Sequence, residues 1–169
     1  MKAIVHFDFV DSPLGRMRIT AVNEGLTSIS FDGDRYAPPQ DPAWVRDPSF
    51  PALRRAAAQL TAYFAGERRV FELPLAPTGT PFQCAVWDAI AAVPAGDTIS
   101  YAELARRAGH PGSARAAGAA TGRNPIAIVV PCHRIIGADG SLTGYAGGLD
   151  RKRALLALEQ KRKPMRPAA

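Results

Sequence analysis

The tetrapeptide Thr80-Pro81-Phe82-Gln83 constrains this chain more sharply than any other stretch. A threonine cap accepts from the backbone N–H three residues on, and a glutamine there reaches back to the cap. Proline in the first helical position sacrifices no hydrogen bond. A helix must therefore begin here, and it carries Phe82, Val86, Trp87 and Ile90 on one face with Cys84 beside it. What precedes follows another rhythm. Residues 3–10, 16–22 and 26–32 are short apolar or β-branched runs broken by "DSPLG" and "NEG", the pattern of an antiparallel meander. The stretch "DGDRYAPPQDPAWVRDPSFP" reads as an irregular surface loop. After it, Leu53, Ala56, Ala57, Leu60 and Phe64 recur at helical spacing up to Gly66. The segment "FELPLAPTGTP" is a connector, so the division falls near residues 74–80. The predicted fold class is α/β, of the α+β kind. A small sheet-plus-helix domain spans 1–76, a mainly helical domain spans 77–162, and a basic tail occupies 163–169.

Within the helical part, "SYAELARRAG" repeats the capping pattern, with Ser100 as cap and Glu103 reaching back. After "HPG", Ser113 opens a second short helix, "SARAAGAATG", and the pair forms a helix-turn-helix candidate. That second helix is almost all Ala and Gly, with Arg115 its only long side chain. Such a helix either packs tightly in an interior or seats itself closely against DNA with one arginine projecting. It lacks the several hydrogen-bonding side chains that read base edges, which weakens the case for a sequence-specific regulator.

Charge divides along the same boundary. Residues 1–80 hold nine Lys/Arg and nine Asp/Glu, whereas residues 81–169 hold twelve against six, so the whole +6 lies in the second part. A basic half beside a neutral one fits a polyanion partner, DNA or RNA first, or else a solvated basic face ending in "KRKPMRP". No apolar run approaches the roughly 20 residues that span a bilayer, and the N-terminus lacks a signal-peptide pattern. Two cysteines, Cys84 and Cys132, make no disulfide framework and fit a reduced intracellular setting. With His6, His110 and His133 scattered, no metal site is expected.

Cys132 and His133 sit side by side in "NPIAIVVPCHRII". A free cysteine is ordinarily a small buried hydrophobe. As a nucleophile it needs a base, a positive charge or a hydrogen bond to stabilise its thiolate. Neighbouring side chains on an extended segment face opposite ways, so direct contact with His133 requires a turn or an intervening water. The histidine in turn needs an acidic orienting partner, for which Glu159, Asp139 and Asp150 are available.

The run "IVVPCHRIIG", with "NP" upstream, "SYAELA" before it and "GYAGGLDRKRALLALE" after, resembles the O6-alkylguanine-DNA alkyltransferases, the methylated-DNA–protein-cysteine methyltransferases. The match covers residues 80–160, and "DSPLG" and "YFAG" are compatible with the family's N-terminal domain. The resemblance implies a ribonuclease H-like first domain and a winged-helix-like second one. It implies irreversible, single-turnover transfer of the alkyl group from guanine O6, with O4-alkylthymine a second candidate, to Cys132. His133 would act through a water, oriented by Glu159, and Asn124 would support the thiolate. Tyr101 would stabilise the leaving guanine and crowd its 3′ phosphate. Arg115 would fill the stack vacated by the flipped nucleotide, on a helix whose Ser113, Ala114 and Ala116 lie against DNA. Tyr145, Ala146 and Gly147 would wall the guanine pocket, and the carbonyls of Cys132 and Ile135 would meet the base's amino group.

The same resemblance implies no cofactor and a partner of double-stranded DNA carrying alkylated bases. It implies a monomeric, cytoplasmic protein that joins the nucleoid when bound, with cooperative assembly along DNA left open and no membrane association. Asp150 would cap the last helix, and its "RKR" first turn makes better sense facing phosphates. Ala127 stands where some relatives have proline, and Ala146 where some have serine. A non-catalytic sensor of alkylated DNA is the alternative, disfavoured because such relatives replace the cysteine. A cysteine hydrolase would need an oxyanion hole and multiple turnovers.

Overall fold

The computed structural model describes residues 2–161, so the basic tail lies outside the described residues. Strands β1 (His6–Val10), β2 (Met17–Val22) and β3 (Gly25–Phe31) form the antiparallel meander. A two-residue strand β4 (Val45–Arg46), inside the stretch expected to be irregular, adds in parallel to β1. The sheet order is β3-β2-β1-β4. Period-2 alternation puts Met17, Ile19 and Ala21 on one face, each fully buried. Helix α1 (Pro51–Ala65) covers that face with Leu53, Ala56 and Leu60 and ends at Gly66 in a left-handed cap. On the opposite face the hydroxyl of Thr20 bonds those of Thr27 and Ser28 at 2.6 and 2.5 Å, satisfying polar groups that would otherwise be costly to bury.

Helix α2 (Pro81–Ala91) starts at the full Thr80/Gln83 capping box, with Val86, Trp87 and Ile90 buried. A short strand β5 (Ile99–Ser100) leads into α3 (Tyr101–Arg107). Ser100 caps α3 by accepting from Glu103 N–H at 3.1 Å, but the Glu103 carboxylate does not reach back. It binds Arg106 and Arg107 instead, since two guanidiniums one turn away outcompete a single amide. Helix α4 (Ala114–Gly122) packs on α2 and α3, and Trp87 Nε1 donates to Ala120 O at 2.9 Å. Strand β6 (Ile135–Ile136) pairs in parallel with β5, and α5 (Leu149–Lys161) closes the described chain.

One hydrophobic core runs from Val10 of the sheet to Leu155 of α5. The outer edge of β3 explains how the two parts join. Leu26 bridges Leu75 of the connector, and Ile29 exchanges bonds with Pro125 O at 2.9 Å and Ala127 N at 3.0 Å. Segment 125–127 is thus docked on the free sheet edge, which satisfies backbone groups an edge strand leaves open. Gly25 allows the approach at the other end, because a Cβ there would lie 2.5 Å from Pro74 O.

Candidate active site

Between α4 and β6 the chain makes three tight turns. Asn124 ties the first: its Oδ1 accepts from Ile126 N–H at 3.0 Å and its Nδ2 donates to Val130 O at 2.7 Å. A Val129 N–H to Ala127 O bond of 2.8 Å closes a three-residue turn around Ile128, whose φ is +70°. That is the rare form of γ-turn, and for a β-branched residue it is strained by about 1–3 kcal/mol. A bond from Cys132 N–H to Val130 O closes the third turn, around Pro131, before a 3₁₀ turn over Cys132–Arg134. The sheet edge and Asn124 together hold this strained path in place.

The 3₁₀ turn resolves the adjacency of thiol and imidazole. Cys132 is half-buried and lines a cavity of about 610 Å³, whereas His133 is fully buried and faces α5. His133 Nε2 lies 2.9 Å from Glu159 Oε2. Of the three acids open to this role, only Glu159 takes it. Asp139 accepts from Ser141 N–H at 3.0 Å, and Asp150 is exposed beside Arg153. Glu159 is 3% exposed. Arg134 grips it from two sides, Nε on Oε1 at 2.8 Å and Nη2 on Oε2 at 2.7 Å, and Tyr63 donates to Oε2 at 2.7 Å. Burial alone would raise the Glu159 pKa, but the Arg134 and His133 hydrogen bonds, with the charge of Arg134 and, at acid pH, that of the protonated imidazole, hold it well below the carboxylate range. Burial lowers the His133 pKa despite Glu159, so the imidazole is neutral near pH 7. An ionised carboxylate only accepts, which assigns the proton to Nε2 and leaves the lone pair on Nδ1, a buried atom with no partner among the described residues.

Burial raises the Cys132 thiol pKa, while the Asn124 amide and the charge of Lys152 pull it back. Lys152 is itself fully buried. Its ammonium donates to Ile135 O at 2.6 Å and Thr143 O at 2.9 Å, and burial brings its pKa down to about 8. This corrects the reading of "RKR" as a phosphate-facing cluster. Lys152 shares a helix face with Leu155 and Glu159, at spacings of one and two turns, and that face packs on the thiol turn. Arg151 likewise bonds Leu14 O and Gly147 O, leaving Arg153 exposed. Asp150 also falls within the first turn of α5 rather than at its cap.

Tyr101, Asn124, Tyr145, Ala146 and Gly147 line the cavity with Cys132. The Tyr101 hydroxyl accepts from Thr143 Oγ1 at 3.0 Å, and the buried Tyr145 hydroxyl has no hydrogen-bond partner among the described residues. Gly147 is required by its neighbours, since a Cβ would lie 2.8 Å from the Tyr145 ring and 2.9 Å from Asp34 Oδ1. Ile135 sits in β6 behind the turn, its carbonyl already accepting from Lys152. The second half of α4 walls the cavity, while Arg115 and Ala116 are exposed in its first turns, after the half-buried Ser113 and Ala114.

Sequence reasoning missed a wall contributed by the first domain. Asp34, Arg35 and Tyr36 line the same cavity, and Arg35 N–H donates to Ala146 O at 3.0 Å. The Arg123 guanidinium stacks 3.9 Å over the Tyr36 ring. Burial raises the Asp34 pKa, and its Oδ1 has no hydrogen-bond partner among the described residues. Nothing local in "FDGDRY" announces these long-range contacts.

A partly buried thiol on a nucleotide-sized cavity beside a helix-turn-helix is the arrangement of a DNA-associated protein with a cysteine available for chemistry. Residues 81–161 match the family model described as "6-O-methylguanine DNA methyltransferase, DNA binding domain". Residues 5–77 match "6-O-methylguanine DNA methyltransferase, ribonuclease-like domain". This chain belongs to the 6-O-methylguanine DNA methyltransferase family. It is 48% identical over 161 residues to a methylated-DNA–protein-cysteine methyltransferase of Mycobacterium tuberculosis, covering 95% of this chain and 96% of the relative. A Methanosarcina acetivorans protein of the same name is 46% identical over 155 residues, covering 92% of this chain and 98% of the relative. Among solved structures, Mycobacterium tuberculosis OGT in complex with DNA superposes with a TM-score of 0.85 at 47% identity, covering 94% of this chain and 95% of that one.

Proposed function

We propose that this protein repairs DNA by direct reversal, taking the alkyl group from O6 of a guanine in duplex DNA onto Cys132 in a single turnover. The observation that carries this reading is the division of labour in one turn. Cys132 faces the cavity, while His133 is buried on a Glu159–Arg134 clamp with its Nδ1 lone pair free. His133 Nδ1 takes the thiol proton through one water. The sulfur attacks the alkyl carbon, the S–C bond forms as the C–O6 bond breaks, and that bond's electron pair leaves with the guanine. The Tyr101 hydroxyl donates to the departing base. The charge of Lys152 and the Asn124 amide favour the thiolate against its burial. A thioether is not readily hydrolysed, so each molecule acts once.

A base inside a duplex is out of reach of a thiol at a cavity floor, so the nucleotide must rotate out. Arg115 fills the gap from the exposed start of α4, while Ala114 and Ala116 let the helix sit close. Phosphate contacts from the basic half supply salt-sensitive affinity. In this reading residues 1–76 serve as support and residues 77–162 as the DNA-binding and acceptor part. The setting in this reading is the cytoplasm, with the protein joining the nucleoid when bound to DNA.

Intact mass after mixing the protein with excess duplex carrying one O6-methylguanine tests the reading. A gain of one methyl group, absent in Cys132→Ala, is expected. Tight binding with unchanged mass would instead identify a non-catalytic sensor.

A further inference from the structure

We propose that Tyr63 of α1 is a positioning residue for the transfer, through which the N-terminal domain fixes the carboxylate that orients His133. The bond spans 96 residues of sequence and is buried, from the Tyr63 hydroxyl to Glu159 Oε2 at 2.7 Å. Tyr63 is 3% exposed, and its ring is locked edge-on against Phe64 and tilted against Phe71 at centroid distances of 5.2 and 5.5 Å. The donor therefore arrives in one orientation, dictated by the first domain's helix.

Charge balance does not require it. Arg134 already neutralises Glu159 and satisfies both of its oxygens. Three donors nonetheless converge on Oε2: Tyr63, Arg134 and His133. A tyrosine sharing the lone pairs of the oxygen that holds the imidazole withdraws electron density from the His133 bond. It also pins the carboxylate against rotation about the Arg134 fork. Burial and the Glu159 charge keep the Tyr63 hydroxyl protonated at every pH where the protein works, so it is a permanent donor. The charged and titratable groups facing this cluster are Arg134 from the thiol turn, Lys152 and Glu159 from α5, Arg69 beyond the end of α1, and Tyr145 from the cavity wall.

The proposal rests on His133 acting as the base. Without the tyrosine donor, Oε2 holds the imidazolium more strongly, and His133 becomes easier to protonate. The acid side of the rate profile then moves to higher pH.

The test is the single-turnover rate of methyl transfer from an O6-methylguanine duplex between about pH 5 and 9. It is measured on the full chain for wild type, Tyr63→Phe, Glu159→Gln and the double variant. Tyr63→Phe keeps the packed ring and is expected to shift the acid limb up by about half a unit, a roughly threefold loss at the foot of the profile. Affinity for undamaged duplex stays at the wild-type value. In the Glu159→Gln background the same change moves the limb no further. A lowered melting temperature with an unmoved limb would overturn the proposal and reduce Tyr63 to a structural tie. If Glu159→Gln also left rate and limb at wild-type values, the base assignment itself would be wrong, and the Tyr63 proposal would fall with it.

Discussion

The two parts of this protein differ in nearly everything the sequence displays. Residues 1–80 are charge-balanced and sheet-rich, while residues 81–169 carry the whole +6, the helix-turn-helix and the cysteine. By composition the second part is the working one and the first a passenger. The contacts say otherwise. The edge of β3 holds segment 125–127, Arg35 holds the cavity loop at Ala146, and Tyr63 reaches the carboxylate behind the thiol. Chemistry resides in one part, and much of the geometry that makes it usable resides in the other.

The buried clamp is where that comparison breaks most visibly. Arg134→Leu removes the guanidinium from a carboxylate that is 3% exposed, leaving His133 and Tyr63 on it among the described residues. A buried ion stripped of its partner costs about 3–5 kcal/mol, and urea unfolding at pH 7 is expected to show it. In the wild type the Glu159 pKa is depressed below its ordinary 4.5. Its contribution is therefore fully present above that pH and is lost as pH falls through the lower folded value. In Arg134→Leu the depression loses its Arg134 share, the carboxyl protonates sooner, and the gap between variant and wild type narrows as pH falls. An equal gap at pH 7 and at pH 4 would show that the Arg134 contacts, such as its bond to Val93 O, matter more than its charge.

How much of this was legible depends on the range of the interaction. Local rules recovered α2 from Thr80 and Gln83, the end of α1 from Gly66, and the meander from short apolar runs broken by turn residues. The thiol motif and its link to Glu159 came from a resemblance, since spacing alone left three acids in play. For Lys152 the signal is present in the sequence but hidden. Positions 152, 155 and 159 fall on one helical face, and the charge of "RKR" masked that periodicity. Tyr63 likewise continues the buried stripe of Leu53, Ala56 and Leu60. No local rule could supply the Asp34–Tyr36 wall, β4 or the docking of 125–127 on β3. Each is a pairing between segments tens of residues apart, fixed by where an open sheet edge happens to lie.

Lys152 sharpens the comparison from within the second part. Its ammonium favours the Cys132 thiolate, and its own pKa is about 8. Lys152→Met is expected to slow transfer about tenfold at neutral pH, the effect of one unit on the thiol. As pH rises past about 8 the wild-type lysine loses its proton, and the two rates converge. Stability runs with the opposite sense to an ordinary ion pair. The folded value lies below lysine's ordinary 10.5, so the unfolded chain binds more protons between those values, and the cost of burying the charge is relieved as pH rises. Rates that stayed tenfold apart at high pH would assign Lys152 to holding Ile135 and Thr143 rather than to the field on the sulfur.

The smallest effect is expected at the junction itself. Thr80→Ala deletes the acceptor for Gln83 N–H but leaves Pro81 and the reciprocal bond from Thr80 N–H to Gln83 Oε1, which needs only the backbone at position 80. Loss of such a cap costs about 1 kcal/mol, or roughly 2–4 °C in melting temperature for a chain of this size. The transfer rate should not change, because Gln83 keeps its place on the cavity wall. The shape of the transition carries more information than its midpoint. One core runs from Val10 to Leu155, so heating should give a single cooperative transition that shifts as a whole. If only a later of two transitions moved, the sheet part would be unfolding on its own. The contacts from β3, Arg35 and Tyr63 would then be too weak to make the first part a partner in the chemistry of the second.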